Sequence, residues 1–212
     1  MKKSKITGKL KKSICCVLLV ILGLSFTACS KQSENTTSES STETEEIVEK
    51  KTDDSSKGIF DDLNVGTFQV TSEDLQDGVW NSVITNTENG SNVSPQLSWD
   101  AVPEAACYVI YMTDITAGNW IHWKSNSITT TTLEQGWAPE KEYIGPYPPG
   151  GTHTYDIYVV AIKEPVESAI GAFNSDNPRF KQCVLKLDET ADGKTGNIIS
   201  YGHISGTYTK GE

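Results

Sequence analysis

Positive charge is the first scarcity in this 212-residue chain. Of its 18 Lys and Arg, six fall before residue 13 and only eight lie beyond residue 57, where 20 Asp and Glu oppose them. Residues 58–212 therefore carry a net charge of −12. Such a balance offers no basic stripe to displace the counterions of nucleic acid, and no attraction to an anionic membrane surface. Histidine is scarce too, with only His122, His153 and His203. Cysteine is confined to Cys15, Cys16, Cys29, Cys107 and Cys183. No His-x-x-x-His, Cys-x-x-Cys or Gly-x-Ser-x-Gly spacing occurs, so the usual marks of zinc, redox and serine-hydrolase chemistry are missing. The expectation is a protein that is not an enzyme and holds no cofactor or metal. Long hydrophobic runs are also lacking. The longest, Ile14 to Phe26, has 13 residues, against the roughly 20 that a helix needs to cross a bilayer.

That short run is informative in another way. Six lysines precede it, and "FTAC" follows, with small Ala28 directly before Cys29. This is the layout of an export signal, and its end resembles a bacterial lipobox, with Phe26 where Leu is usual. Residues 1–29 are thus expected to be a lipoprotein signal peptide ending at a lipidated Cys29. Two or more acyl chains hold a protein on a membrane without crossing it, which places the chain on the extracytoplasmic side of a bacterial membrane. Residues 30–57 follow as an acidic Ser/Thr/Glu tether whose only large apolar residues are Ile47 and Val48, too few to offset the entropy of ordering. Its flexible reach would be about 30 Å.

Residues 58–212 have the size of one domain, able to bury about 70% of its unfolded surface. "TFQVTS", "YVIYMTD", "WIHWKSNSI", "YDIYVVAI" and "ISGTYTK" read as strands, being β-branched and aromatic between turn residues. "YVIYM" and "YDIYVVAI" are apolar at both parities, which predicts central strands buried on both faces. Asn177-Pro178 supplies a helix N-cap and a first-turn proline, and Phe180, Cys183, Val184 and Leu187 follow at helical spacing. Cys107 and Cys183, in an exported setting, are permitted a disulfide; two small buried hydrophobes is the plainer reading.

The polar candidates are few. Asp114 ends one strand, and His122 lies between Trp120 and Trp123. His153 and Tyr155 follow "GPYPPGG", a loop whose shape Pro and Gly define. A buried imidazole left unpaired costs about 1–3 kcal/mol, and Asp114 is the expected partner of His122. Taken singly each histidine is more often structural than a ligand, and His203 keeps that plainer reading.

Together these segments resemble the phosphatidylethanolamine-binding protein family, in its bacterial Raf-kinase-inhibitor-like branch. The resemblance rests on "NVSPQLSWDAVPEAACYVIYMTD…NWIHW", "GPYPPGGTHTYDIYVVAI" and "GHISGTY", in the family's order, from about Phe68 to Tyr208. It implies a mainly β fold with two antiparallel sheets and a few peripheral helices, and an anion pocket beside the proline loop. Carried over, the pocket residues are Asp114, His122, Gly145, Pro146, His153 and Tyr155, with loop N–H groups free to face an anion. The chain departs from the family where Asp114-Ile115-Thr116-Ala117-Gly118 replaces Asp-Pro-Asp-Ala-Pro, where Thr154 replaces Arg, and where Gln96 replaces Pro.

The resemblance implies a binding protein for a small anion or phospholipid head group, with binding expected to strengthen toward pH 6 if both imidazoles protonate. The alternative it carries is an inhibitor of an extracytoplasmic protease, for which no inhibitory loop stands out. Two His and one Asp would also suit a facial-triad metal, though no ligand spacing supports it.

Overall fold

Apolar residues at both parities decide the middle of the fold. The computed structural model describes residues 58–211. Its strands are β1 (Gly66–Thr67), β2 (Val70–Thr71), β3 (Leu75–Gln76), β4 (Val79–Trp80), β5 (Leu97–Trp99), β6 (Cys107–Asp114), β7 (Trp120–Ile128), β8 (Thr132–Leu133), β9 (Thr152–Ile162) and β10 (Ile198–Thr209). They form a seven-stranded sheet in the order β3-β4-β10-β9-β6-β7, with β1 also on β10, and a three-stranded sheet, β2-β5-β8. The predicted signal peptide, Cys29 and the tether lie outside the described residues.

Strands β6 and β9 pair in the middle of the larger sheet, and every residue of β6 is buried. Alternation sends Tyr108, Ile110 and Met112 to one face and Cys107, Val109 and Tyr111 to the other. The first set joins Trp80, Trp99, Trp123 and Leu97 in a core between the two sheets. The second packs with Phe60, Phe180, Val184 and Leu187 in a core beneath the late helix. Two-sided burial requires cover on both faces, which is why the strands are apolar throughout.

Three sequence expectations are adjusted by these contacts. The larger sheet is not wholly antiparallel, since β1 and β4 both run parallel to β10. "TFQVTS" is not one strand: Thr67 ends β1 on β10, while Val70 begins β2 on β5. Between them the Phe68 N–H donates to the Tyr201 carbonyl at 3.0 Å, and the chain crosses between the sheets. "ISGTYTK" is the second half of a 12-residue strand.

The helix α1 (Phe180–Leu185) buries Phe180 and Val184 as predicted, and Leu187 follows in a 3-10 turn. Its start differs, because Arg179 occupies the cap position without a side-chain bond. Asn177 is spent elsewhere, closing the 172–175 loop through bonds with Ala172 and Ser175. Cys107 is buried and Cys183 half-buried, and both thiols are free.

Register sets the geometry of one sheet end. Asp114, the last residue of β6, lies opposite Trp120 at the start of β7 and opposite Tyr155 near the start of β9. Residues far apart in the chain therefore meet at this edge.

Candidate functional site

The strand β7 reaches this edge with an irregularity. Met112 pairs with Trp123 but Thr113 pairs with Ile121, leaving His122 as an extra residue. This is a β-bulge, which bends a strand and re-aims a side chain. Ile121 consequently joins the core under the helix while Trp123 joins the core between the sheets. His122 sits between them, 3% exposed. Its Nδ1 lies 2.9 Å from the Ile144 carbonyl. Because a carbonyl only accepts, Nδ1 carries the hydrogen. Burial holds the His122 pKa below its ordinary value, outweighing the Ile144 carbonyl and the Asp114 charge, which push it up.

Asp114 does not bond His122 as the sequence suggested. One carboxylate oxygen accepts from the N–H groups of Thr116 and Ala117 at 2.9 and 3.0 Å, capping the 3-10 turn Ile115–Ala117. The other accepts from Nδ1 of His153 at 2.6 Å. The partner is across the sheet because β9 brings His153 two residues before Tyr155, on the same face as Asp114's cross-strand neighbour. The side chains of Asp114 and His153 are only 4% and 11% exposed. A pair this short and this enclosed fixes the imidazole plane and leaves Nε2 as its open nitrogen.

Tyr155 lies between the histidines. Its ring centroid is 5.3 Å from that of His122, edge-on, and 6.4 Å from that of His153, near parallel. The residue is fully buried and its hydroxyl makes no hydrogen bond of normal geometry. Burial first, then the charge of Asp114 and a loose hydrogen bond to its carboxylate, drive the phenol far above its ordinary pKa, so it stays protonated. A buried hydroxyl left unpaired is uncommon and costs about 1–3 kcal/mol.

These groups line one cavity of about 260 Å³ together with Ala117, Trp120, Tyr147, Pro148 and Pro149. No Lys or Arg is on its lining. Trp120 Nε1 and the Tyr147 hydroxyl both donate to Asn174 Oδ1, at 3.2 and 2.7 Å, and their rings stand perpendicular. The mouth is thus an aromatic gate pinned by one amide.

Gly145 and Pro146 do not reach the lining, contrary to the expectation from the loop. The Gly145 N–H is used by Asn92 Oδ1 at 2.7 Å, and the Pro146 carbonyl accepts from the Asn86 N–H at 2.9 Å. A Cβ on Gly145 would fall 2.1 Å from the Ile84 carbonyl oxygen, so only glycine allows this approach. Their role is to clamp the loop so that the next three residues, Tyr147, Pro148 and Pro149, form the wall. Thr154 alternates away from the cavity, its N–H bonded to Thr116 Oγ1 at 3.0 Å. Tyr147, Trp120 and Asn174 were not among the predicted site residues. Tyr147 adjoins Pro146 and Trp120 lies two residues before His122, whereas nothing local marks Asn174.

His203 is elsewhere. It stacks on Tyr158 at 4.6 Å, and its Nε2 is 3.3 Å from Asp156. Among the described residues no three His, Cys, Asp or Glu side chains gather as a metal centre.

A two-sheet β scaffold with an aromatic-walled cavity at one sheet edge is the setting in which the comparisons fall. The chain belongs to the phosphatidylethanolamine-binding protein family, whose model matches residues 71–209. It is 30% identical over 146 residues to a UPF0098 protein of Methanothermobacter thermautotrophicus, covering 59% of this chain and 88% of that protein. Among solved structures it resembles a Chlamydia trachomatis chain described as a homologue of phosphatidylethanolamine-binding proteins (TM-score 0.51, 24% identity, 68% of this chain and 99% of that one). It also resembles Escherichia coli YbcL, described as a member of the mammalian family (TM-score 0.50, 23% identity, 68% and 99%). At such identities these two structures speak for the fold.

Proposed function

We propose that this is a membrane-tethered, non-enzymatic binding protein that takes a small oxyanion or a phosphorylated head group in the cavity of His122, His153 and Tyr155. One observation carries the reading: the buried Tyr155 hydroxyl makes no hydrogen bond of normal geometry, only a loose contact with the Asp114 carboxylate, between two imidazoles whose Nδ1 atoms are already engaged. Such a hydroxyl is costly unless a ligand completes it. The Asp114–His153 pair adds a pre-oriented ring that presents its Nε2 edge as the open one. Burial holds the His122 pKa below its ordinary value, so that ring resists taking on charge as the solution is acidified. The reading of Cys29 as a lipid anchor rests on the basic start, the apolar run and "FTAC".

Calorimetric titration of the full chain with inorganic phosphate and phosphoethanolamine tests the site. Loss of affinity by about tenfold or more in His153→Ala is expected for a charge-assisted bond. Equal heats from both proteins, or none from either, would end the proposal. For the tether, Cys29→Ala should move the chain from the membrane fraction to the soluble one, while an unchanged distribution would remove the anchor.

A further inference from the structure

We infer that a second cavity, on the far side of the proline loop, binds an α-amino acid as its zwitterion. This cavity measures about 400 Å³, within the size range of small-ligand sites. It shares only Tyr147 and Pro148 with the cavity of His153, so those two residues are the partition between the volumes. Together with the buried Tyr208 they make its apolar wall.

The polar lining carries both signs of charge, from Glu88 and Lys210, and no ion pair joins them. The Lys210 ammonium donates to the Pro149 carbonyl at 2.7 Å, and its backbone N–H donates to the Gly151 carbonyl at 3.0 Å. A carbonyl positions an ammonium without neutralising it, and two of its three donors stay open. Among the described residues the Glu88 side chain makes no hydrogen bond or ion pair. Thr87 adds an acceptor next to Glu88. The Thr85 hydroxyl donates to the Ser82 carbonyl at 2.8 Å, so in its 2.7 Å contact with Thr87 it accepts. The Thr87 hydrogen is thereby spent and its oxygen accepts. The segment bearing these groups is braced. The Asn86 N–H donates to the Pro146 carbonyl and the Asn92 N–H to the Thr85 carbonyl, each at 2.9 Å. A Cβ on Gly90 would fall 2.0 Å from that Thr85 oxygen, so only glycine closes the turn.

The occupant follows from what each charge rejects. A simple anion meets Glu88 and the field of a domain with a net charge of −12. A simple cation meets Lys210. A zwitterion answers both and feels no net repulsion. An ammonium for Glu88 and Thr87, a carboxylate for Lys210 and the Asn89 amide, and an apolar group against Tyr147 and Pro148 together describe an α-amino acid.

Three probes test this on the full chain by amide chemical shifts at pH 6, below the α-amino pKa of about 7.7–8.0. Phenylalanine carries both charges, N-acetylphenylalanine only the carboxylate, and phenylalaninamide only the ammonium. Phenylalanine should bind about fivefold or more tightly than either, the worth of one exposed ion pair, and should shift the amides of Thr87, Asn89 and Lys210. Glu88→Gln should bring phenylalanine and N-acetylphenylalanine within about twofold of each other. That variant alters an exposed side chain with no partner among the described residues, so it decides even if Lys210→Met disturbs the loop. His153→Ala should leave phenylalanine binding intact, which separates this site from the phosphate site. Equal affinities for the three probes, or no shifts at those amides, overturn the inference and leave the phosphate reading standing. Loss of phenylalanine binding in His153→Ala overturns it as well, by placing the ligand in the first cavity.

Discussion

Two carboxylate–imidazole pairs flank the same strand, β9, and they behave as opposites. On the cavity side, Asp114 and His153 approach to 2.6 Å with both side chains nearly enclosed, beside a hydroxyl without a hydrogen bond of normal geometry and a cavity of about 260 Å³. On the other side, Asp156 and His203 stand 3.3 Å apart, and His203 is 38% exposed. There the surroundings are complete. Ser205 and Tyr158 both donate to Asp156, and the Tyr158 ring stacks on His203. The contrast teaches that an Asp–His pair by itself says little about function. What separates the two is polar capacity left open next to space, which a structural cluster does not retain.

The largest expected break in that contrast is Asp114→Ala. It uncaps the 3-10 turn and strips a buried histidine of its partner, for an expected cost of about 3–5 kcal/mol, read from urea midpoints, together with loss of phosphate binding. Asp156→Asn should cost less, about 1–3 kcal/mol from weakened hydrogen bonds, and leave binding unchanged. If it abolished binding, the separation of the two clusters would be wrong.

Acid titration sharpens the same comparison, because the two sides lose stability in different windows. His122 has a folded pKa below its ordinary 6.5. As pH falls below about 6.5 the unfolded chain takes up a proton that the folded ring resists, so stability declines in that range. Burial raises the Asp156 pKa, but hydrogen bonds from His203 and Ser205 outweigh it, and the net shift is below the ordinary 3.8. Its stabilising share is therefore intact above about 4 and lost as pH drops through the lowered folded value. Urea midpoints from pH 7 to 3 should show both declines, with His122→Gln removing the upper one and Asp156→Asn the lower.

Tyr155→Phe is expected to change stability by less than about 1 kcal/mol, or to raise it, since it deletes an unsatisfied hydroxyl, while weakening phosphate binding. A large loss of stability would show that the hydroxyl is structural. Smallest of all, His203→Ala should cost about 0–1 kcal/mol as a half-exposed pair, with no effect on ligand.

Much of the scaffold was readable from residue order. Both-parity apolar runs marked β6 and β9 as the buried centre, and the 180/183/184/187 spacing marked the packed face of α1 and the turn after it, with Cys183 only half-buried, because those periodicities report local exposure directly. The membership of Asp114, His122, His153 and Tyr155 on one cavity lining was reached through resemblance, since 41 positions separate Asp114 from Tyr155 and no periodicity connects them. Wrong partners followed where register mattered. Asp114 was assigned to His122, eight residues away, whereas the antiparallel pairing delivers His153 from 39 residues away. Gly145 and Pro146 were read as ligand contacts because their residue types suit a phosphate nest; their hydrogen bonds go to Asn92 and Asn86 instead.

Residue order alone determined the acidic charge, the export-like beginning, the strand-rich domain and the stiffness of the proline loop, all of which depend on composition or near neighbours. The tertiary structure alone decided that a bulge turns His122 inward, that Asn174 pins the gate, and that the Tyr155 hydroxyl is left without a hydrogen bond of normal geometry. Those outcomes depend on cross-strand register and on which distant backbone fills each hydrogen bond, and neither leaves a repeating trace along the chain.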